Sequence, residues 1–127
     1  MKKLISAVAV ILFTCASLFA QQVRPREEYR ASINKSFYGL YNERTQTWVV
    51  QPKYSSAKYI GSYEGVHYYA LKNDDNLWGF LTSDDYSRMK VGHKFSDFYD
   101  SSSRFILAGG LPVVPVKRGS DWGLIEL

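Results

Sequence analysis

The sequence predicts an all-β fold of short antiparallel strands, and three observations predict it. From Phe37 onward, aromatic and β-branched runs alternate with clusters of Asn, Asp, Ser and Gly, the alternation of strands with turns. Aromatic residues are abundant, with 3 Trp, 10 Tyr and 7 Phe in 127 residues. One short motif also returns at near-constant spacing. Tyr38-Gly39-Leu40-Tyr41, Trp78-Gly79-Phe80-Leu81 and Trp122-Gly123-Leu124-Ile125 each read aromatic, Gly, apolar, apolar, with their glycines 40 and 44 residues apart.

The N-terminal segment, residues 1–20, reads as an export signal. Met1-Lys2-Lys3 is a positive start, and Leu4 to Phe13 is an uncharged apolar run too short to anchor stably across a bilayer. Cleavage is expected after Ala20 in Ser17-Leu18-Phe19-Ala20-Gln21-Gln22, which leaves 107 of 127 residues as one small secreted or periplasmic domain without a transmembrane span. The alternative is a lipid-anchored envelope protein, because Leu12-Phe13-Thr14-Cys15 resembles a lipobox. Thr14 fits that pattern poorly, and apolar character resumes after Cys15 in Leu18 and Phe19. Because Cys15 lies in the signal region, the mature chain is expected to carry no disulfide, no thiolate metal site and no cysteine nucleophile. Leaving out Lys2 and Lys3 reduces 16 basic residues to 14, against 12 acidic ones, a net charge of +2. Lys35, Lys53, Lys58, Lys90, Lys94 and Lys117 are scattered, which reads as a solvated surface, and no nucleic-acid partner is expected.

Gln21 to Ser36 is polar and contains Pro25, so residues 21–36 are expected as a linker or, over Arg26 to Asn34, a turn or two of helix. The β domain then spans residues 37–127. Within it, Val66 to Lys72, the turn-forming Asn73-Asp74-Asp75-Asn76 and the Trp78 strand predict a β-hairpin. Val113 to Lys117, joined through Arg118-Gly119-Ser120-Asp121 to Trp122, predict a second. Val50 to Ser55 also aligns with Val91 to Ser96 at an offset of 41, and Gly65-Val66 to Lys72 aligns with Gly110-Leu111 to Lys117 at an offset of 45. The chain therefore reads as two units, Tyr38 to Leu77 and Trp78 to Asp121, plus the opening strand of a third. Glycine after each aromatic is expected to let a neighbouring strand lie against the backbone, since no Cβ intervenes. Two units and a strand are few for a repeat architecture. Trp122 to Glu126 is therefore expected to close back on the first unit, giving a small barrel or sandwich-like body without an open edge, with dimerisation through the open end as the alternative.

These motifs together resemble the WG-repeat (KWG-repeat) family. Its units run as a Trp-Gly-aromatic-Ile strand, a Val/Ile-x-Pro-x-Tyr segment, Glu-Gly-Leu leading to a Val-Lys strand, and a tight turn into the next Trp-Gly. The first unit keeps Pro52, Tyr54, Glu64, Gly65 and Lys72, whereas the second has His93 where Pro52 stood and Gly109 in place of Glu64. The resemblance implies an all-β repeat module in a secreted or envelope protein, and it brings no common catalytic residue.

The residues that could carry chemistry have simpler structural readings. His67 and His93 occupy non-equivalent positions and lack ligand-type partners at metal spacing, so no metal or cofactor is expected. Asp74-Asp75 and Asp84-Asp85 read as turn residues, and Ser101-Ser102-Ser103 as loop. Tyr38, Trp78 and Trp122, with Gly39, Gly79 and Gly123, are the structural motif, and the three aromatics are expected in the core. Trp48, Tyr59 and Tyr63 have no aromatic counterpart in the second unit and are the candidate binding residues. The expected function is a non-catalytic module that recognises an unknown protein partner or has a structural role in the envelope. A carbohydrate-binding module using exposed aromatics is the alternative, and a hydrolase would require one deep pocket holding Asp97, Asp100 or His93.

Overall fold

The computed structural model describes residues 22–101 and 105–127. The expected signal, with Cys15 and the cleavage point after Ala20, lies outside the described residues, as do Ser102 and Ser103. The described chain is all-β and antiparallel, as the sequence predicts. Its strands are β1 (Val23–Arg30), β2 (Lys35–Asn42), β3 (Thr47–Tyr54), β4 (Ser56–Tyr63), β5 (Val66–Lys72), β6 (Trp78–Thr82), β7 (Val91–Phe95), β8 (Asp97–Phe98), β9 (Ile106–Ala108), β10 (Leu111–Arg118) and β11 (Asp121–Glu126). They form three sheets, ordered β1-β2-β3, β4-β5-β6-β7 and β11-β10-β8, with β9 also on β10.

The central sheet is covered on both faces, and strand alternation explains how. Successive side chains of a strand point to opposite faces. Tyr69, Leu71 and Leu81 join Leu40 and Val50 of the first sheet in one core cluster. Tyr68, Ala70, Trp78 and Phe80 join Phe98, Val114 and Val116 of the third sheet in the other. β6 is consequently buried along its whole length. Tyr69 also donates a 2.7 Å hydrogen bond to the Val23 carbonyl, tying the central sheet to β1.

Two expectations need correction. The described part of that expected linker or helix, residues 22–36, instead contributes β1, which pairs with β2 from Val23↔Asn42 to Arg30↔Lys35 across a turn in which Asn34 takes a φ of 51°. Its charged residues are accommodated because long cationic side chains lie over aromatic faces: the Arg26 guanidinium is 4.2 Å from the Tyr41 ring centre, and that of Arg30 is 4.8 Å from Phe37. The second correction concerns closure. Among the described residues β11 pairs with β10 alone and forms the edge of the third sheet, so the three sheets pack as open layers rather than a barrel.

The three aromatic-Gly strands meet their preceding neighbours in one register. Arg26, Leu71 and Val116 stand opposite Gly39, Gly79 and Gly123. On the other side, β3 and β7 share a second register. Tyr54 faces Tyr38 and Val50 faces Leu40, while Phe95 faces Trp78 and Val91 faces Phe80. In both cases four residues span the distance of two, so the strand bulges. The bulge carries its backbone over the glycine. A Cβ on Gly79 would lie 2.9 Å from the Val91 oxygen and 3.2 Å from the Gly92 carbonyl carbon, and one on Gly39 would lie 2.8 Å from the Pro52 nitrogen. Around Gly123 nothing comes within 4 Å.

The two glycines should therefore respond differently to the same change. Gly79→Ala is expected to cost about 1–3 kcal/mol, because the Val91–Gly92 backbone must move as well as the flexible Met89 side chain. Gly123→Ala is expected to stay within about 0.5 kcal/mol of the parent. Urea unfolding of both variants measures this, and equal losses would show that close backbone approach is not what the glycine serves.

Candidate functional site

β11 is the strand at which a structural motif becomes a surface. Tyr99 and Ser96 donate to the Pro115 and Lys117 carbonyls, so these residues of β10 turn their backbone groups toward β8. Leu124 and Trp122, which stand opposite them, therefore direct their own N–H and C=O groups away from β10. Phe80 occupies the matching place in β6, and there its carbonyl accepts a 2.8 Å hydrogen bond from the Lys90 amide just before β7. Beside β11 no strand fills that place among the described residues.

The side chains show the same contrast. Trp78 and Phe80 are 7% and 0% exposed, whereas Trp122 and Leu124 are 55% and 63% exposed. Trp122 is thus not a core residue as expected. Its face of the third sheet is the face that, on the central sheet, the third sheet covers. Ile125 has the opposite parity and packs inward against the core. Asp121 and Glu126 carry acidic charge at the two ends of the strand, where β2 has Phe37 and Asn42 and β6 has Leu77 and Thr82. The ion pairs among the described residues join Arg24 to Glu43, Arg30 to Glu28 and Lys35 to Asp74, and none involves either β11 acid.

A second concave feature lies between β3 and the β6–β7 connection. It is a cleft of about 410 Å³ whose lining includes Val50, Leu81 and Met89 with Lys53, Tyr86 and Arg88 at its polar parts. A smaller hollow of about 190 Å³ adjoins it around Asp84, Asp85 and Arg88. The Asp85 carboxylate accepts hydrogen bonds from the Ser87 amide and hydroxyl, which hold its pKa below the usual value with a smaller contribution from Arg88. Asp97, Asp100 and His93 do not line either cavity. Among the described residues no three His, Cys, Asp or Glu side chains gather as a metal site would require.

Trp48, Tyr59 and Tyr63 fall in three different surroundings. Trp48 packs edge-on against Tyr41 at 5.0 Å on the first sheet, with Arg26 nearby. Tyr59 meets Tyr69 at 5.5 Å, and its hydroxyl is 3.0 Å from Nδ1 of His67. Tyr63 donates a hydrogen bond to the Gly110 carbonyl and packs on the core between the central and third sheets. All three are half-buried. Trp122, an exposed aromatic on the sheet edge, is not flagged by its motif because that motif is the same as in its buried counterparts. The signal that distinguishes it is the pair of flanking acids.

Burial shifts both histidines toward their neutral form. Burial lowers the pKa of His67. Burial is also the largest influence on His93; a hydrogen bond with the Leu71 backbone works in the opposite direction, and Lys53 adds to the lowering. The His93 ring stacks on Tyr54 at 5.6 Å, and its Nε2 is buried without a hydrogen-bond partner among the described residues. In the unfolded chain each histidine titrates near 6.5. Between that value and the lower folded values the unfolded state binds more protons, so stability is complete above about pH 6.5 and falls as the pH drops through the folded pKa values. Thermal midpoints are expected to be lower at about pH 5 than at about pH 7.5, and His67→Gln/His93→Gln should flatten that difference. A midpoint unchanged across this range in the parent would contradict the assignment.

No α-helix in the described residues is long and apolar enough to cross a membrane. Compared with family models, with curated proteins and with solved structures, the chain matches none.

Proposed function

We propose that this protein is an exported, non-catalytic β module of the WG-repeat type that recognises another protein through the outer face and open edge of its third sheet. One observation carries the reading: Trp122 and Leu124 are exposed, whereas their counterparts on the central sheet, Trp78 and Phe80, are buried in the core. An uncovered Trp and Leu beside unpaired backbone groups is the composition of a protein-recognition surface. The shared registers of the three aromatic-Gly strands support the repeat reading, and the positive, apolar start of the chain supports export.

The test is affinity capture with the purified protein from extracellular and envelope fractions, read for proteins and glycans in parallel. Truncating a tryptophan anchor typically costs about 2 kcal/mol or more in binding, roughly thirtyfold in affinity. A protein captured by the parent should therefore be lost with Trp122→Ser/Leu124→Ser, while urea unfolding stays within about 0.5 kcal/mol. Recovery of glycan alone, lost on changing Trp48, Tyr59 and Tyr63 to Ala, would replace this reading with the carbohydrate one.

A further inference from the structure

We infer that the outer edge of β11 accepts an extended, lysine-bearing segment of a protein partner by antiparallel strand addition, in the register and bulged form that β3 and β7 take on β2 and β6. The inference rests on the protein-recognition reading above and specifies the form of the partner. Strand addition draws affinity from backbone hydrogen bonds and specificity from alternate side chains, and both parts are visible here.

The backbone part is the outward-facing amide and carbonyl groups of Trp122 and Leu124, at the places where Trp78 and Phe80 engage β7. The shape part is the space at Gly123. At Gly39 and Gly79 that space is filled by the bulged backbone beginning at Val50 or Val91, and at Gly123 it is open. A strand laid there in the same register would set an apolar residue opposite Leu124 and an aromatic residue opposite Trp122, as Val91 and Phe95 stand opposite Phe80 and Trp78.

Charge selects the chemistry of that strand. In β3 and β7 the aromatic follows a lysine, in Lys53-Tyr54 and Lys94-Phe95, and Lys90 also precedes β7. Of the three aromatic-Gly strands only β11 has acids at both ends, and those acids have no ion-pair partner among the described residues. A basic, apolar segment is complementary to them. A second copy joined through its own β11 is disfavoured, because antiparallel pairing would bring Asp121 of one copy near Glu126 of the other. The β1 edge of a second copy is also a poor partner. Pro25 stands opposite Leu40 as Pro115 stands opposite Leu124, which places its donor-less nitrogen on the outward edge, and Arg24 and Arg30 are already paired with carboxylates.

The probe is a synthetic peptide of residues 90–96, Lys-Val-Gly-His-Lys-Phe-Ser, which contains no tryptophan, so indole emission reports on the protein alone. Titration into the purified protein is expected to give a saturable blue shift as Trp122 is covered, weakened about tenfold or more when both peptide lysines become glutamate and weakened again by added salt. Leu124→Pro removes one outward N–H without touching the bonds to β10, and Gly123→Val fills the space for the bulge. Both should abolish the shift, and either one that keeps the parent's unfolding midpoint is sufficient for the test. Absence of a saturable shift, or a shift that survives both variants, would overturn the inference. So would sedimentation showing that the protein alone self-associates and that Leu124→Pro dissociates it, since the occupant would then be a second copy. If affinity capture still recovers a protein dependent on Trp122 and Leu124 while the peptide does not bind, strand addition fails and protein recognition stands. If neither occurs, both fall.

Discussion

The fold depends on one close approach, the passage of a bulged strand over a glycine that follows an aromatic residue. At Gly39 the approaching atoms all belong to the backbone of the next strand, and at Gly79 the Val91–Gly92 backbone approaches beside the Met89 methyl group, so a Cβ at either position would press on backbone. That contact fixes more than a local turn. It sets the register in which Tyr54 meets Tyr38 and Phe95 meets Trp78, and from there the chain leaves one sheet for the next. At each departure a serine holds the corner. Ser55 and Ser96 donate their amides at 2.9 Å to the Lys72 and Lys117 carbonyls, so the strand just leaving a sheet is fastened to the end of the hairpin in the sheet it enters.

Burial follows from this stepping arrangement. Each sheet turns the aromatic of its aromatic-Gly strand toward the sheet that comes after it in the chain, and the residue two beyond the glycine toward the sheet before. Leu40 faces the central sheet, Phe80 faces the third, and Leu124 faces outward. The central sheet is covered on both faces, which is why its inner strands β5 and β6 are buried almost throughout while its outer strands β4 and β7 and those of the other sheets are mixed. On the outer face of the first sheet the exposed positions are managed by cations over rings, Arg26 on Tyr41 and Arg30 on Phe37. Among the described residues no comparable cover lies on Trp122.

Much of this was legible where local chemistry decides. The hairpin expected from Val66 to Lys72 through Asn73-Asp74-Asp75-Asn76 forms with β5 and β6, and Asn73 closes its turn by accepting the Asp75 and Leu77 amides at 3.0 Å. The second hairpin forms where Arg118-Gly119-Ser120-Asp121 was expected to turn. What escaped the sequence depends on tertiary partners. Val23 to Arg30 has neither strand periodicity nor strand composition, and its pairing with β2 is stabilised by rings on that neighbouring strand. The aromatic-Gly-apolar-apolar motif alone does not separate Trp122 from Trp78, because exposure depends on whether another strand and sheet lie beyond it; only the flanking Asp121 and Glu126 mark the difference. The candidates Trp48, Tyr59 and Tyr63 were chosen for lacking counterparts, and the structure finds each a separate intramolecular partner.

The edges of the first and third sheets differ in kind, and the difference matters for association. An exposed strand edge invites pairing with any extended chain unless something guards it. β1 is guarded by Pro25 at an outward position and by arginines already committed to carboxylates or rings. β11 has no proline; its two acids repel another β11 but leave its central amides and its glycine accessible. Such an edge discriminates by charge while remaining open, so indiscriminate self-pairing is suppressed without loss of the binding surface. The same Trp-Gly strand that forms the centre of the core when covered is, when uncovered, complementary in shape to the type of strand that covers it elsewhere in the molecule.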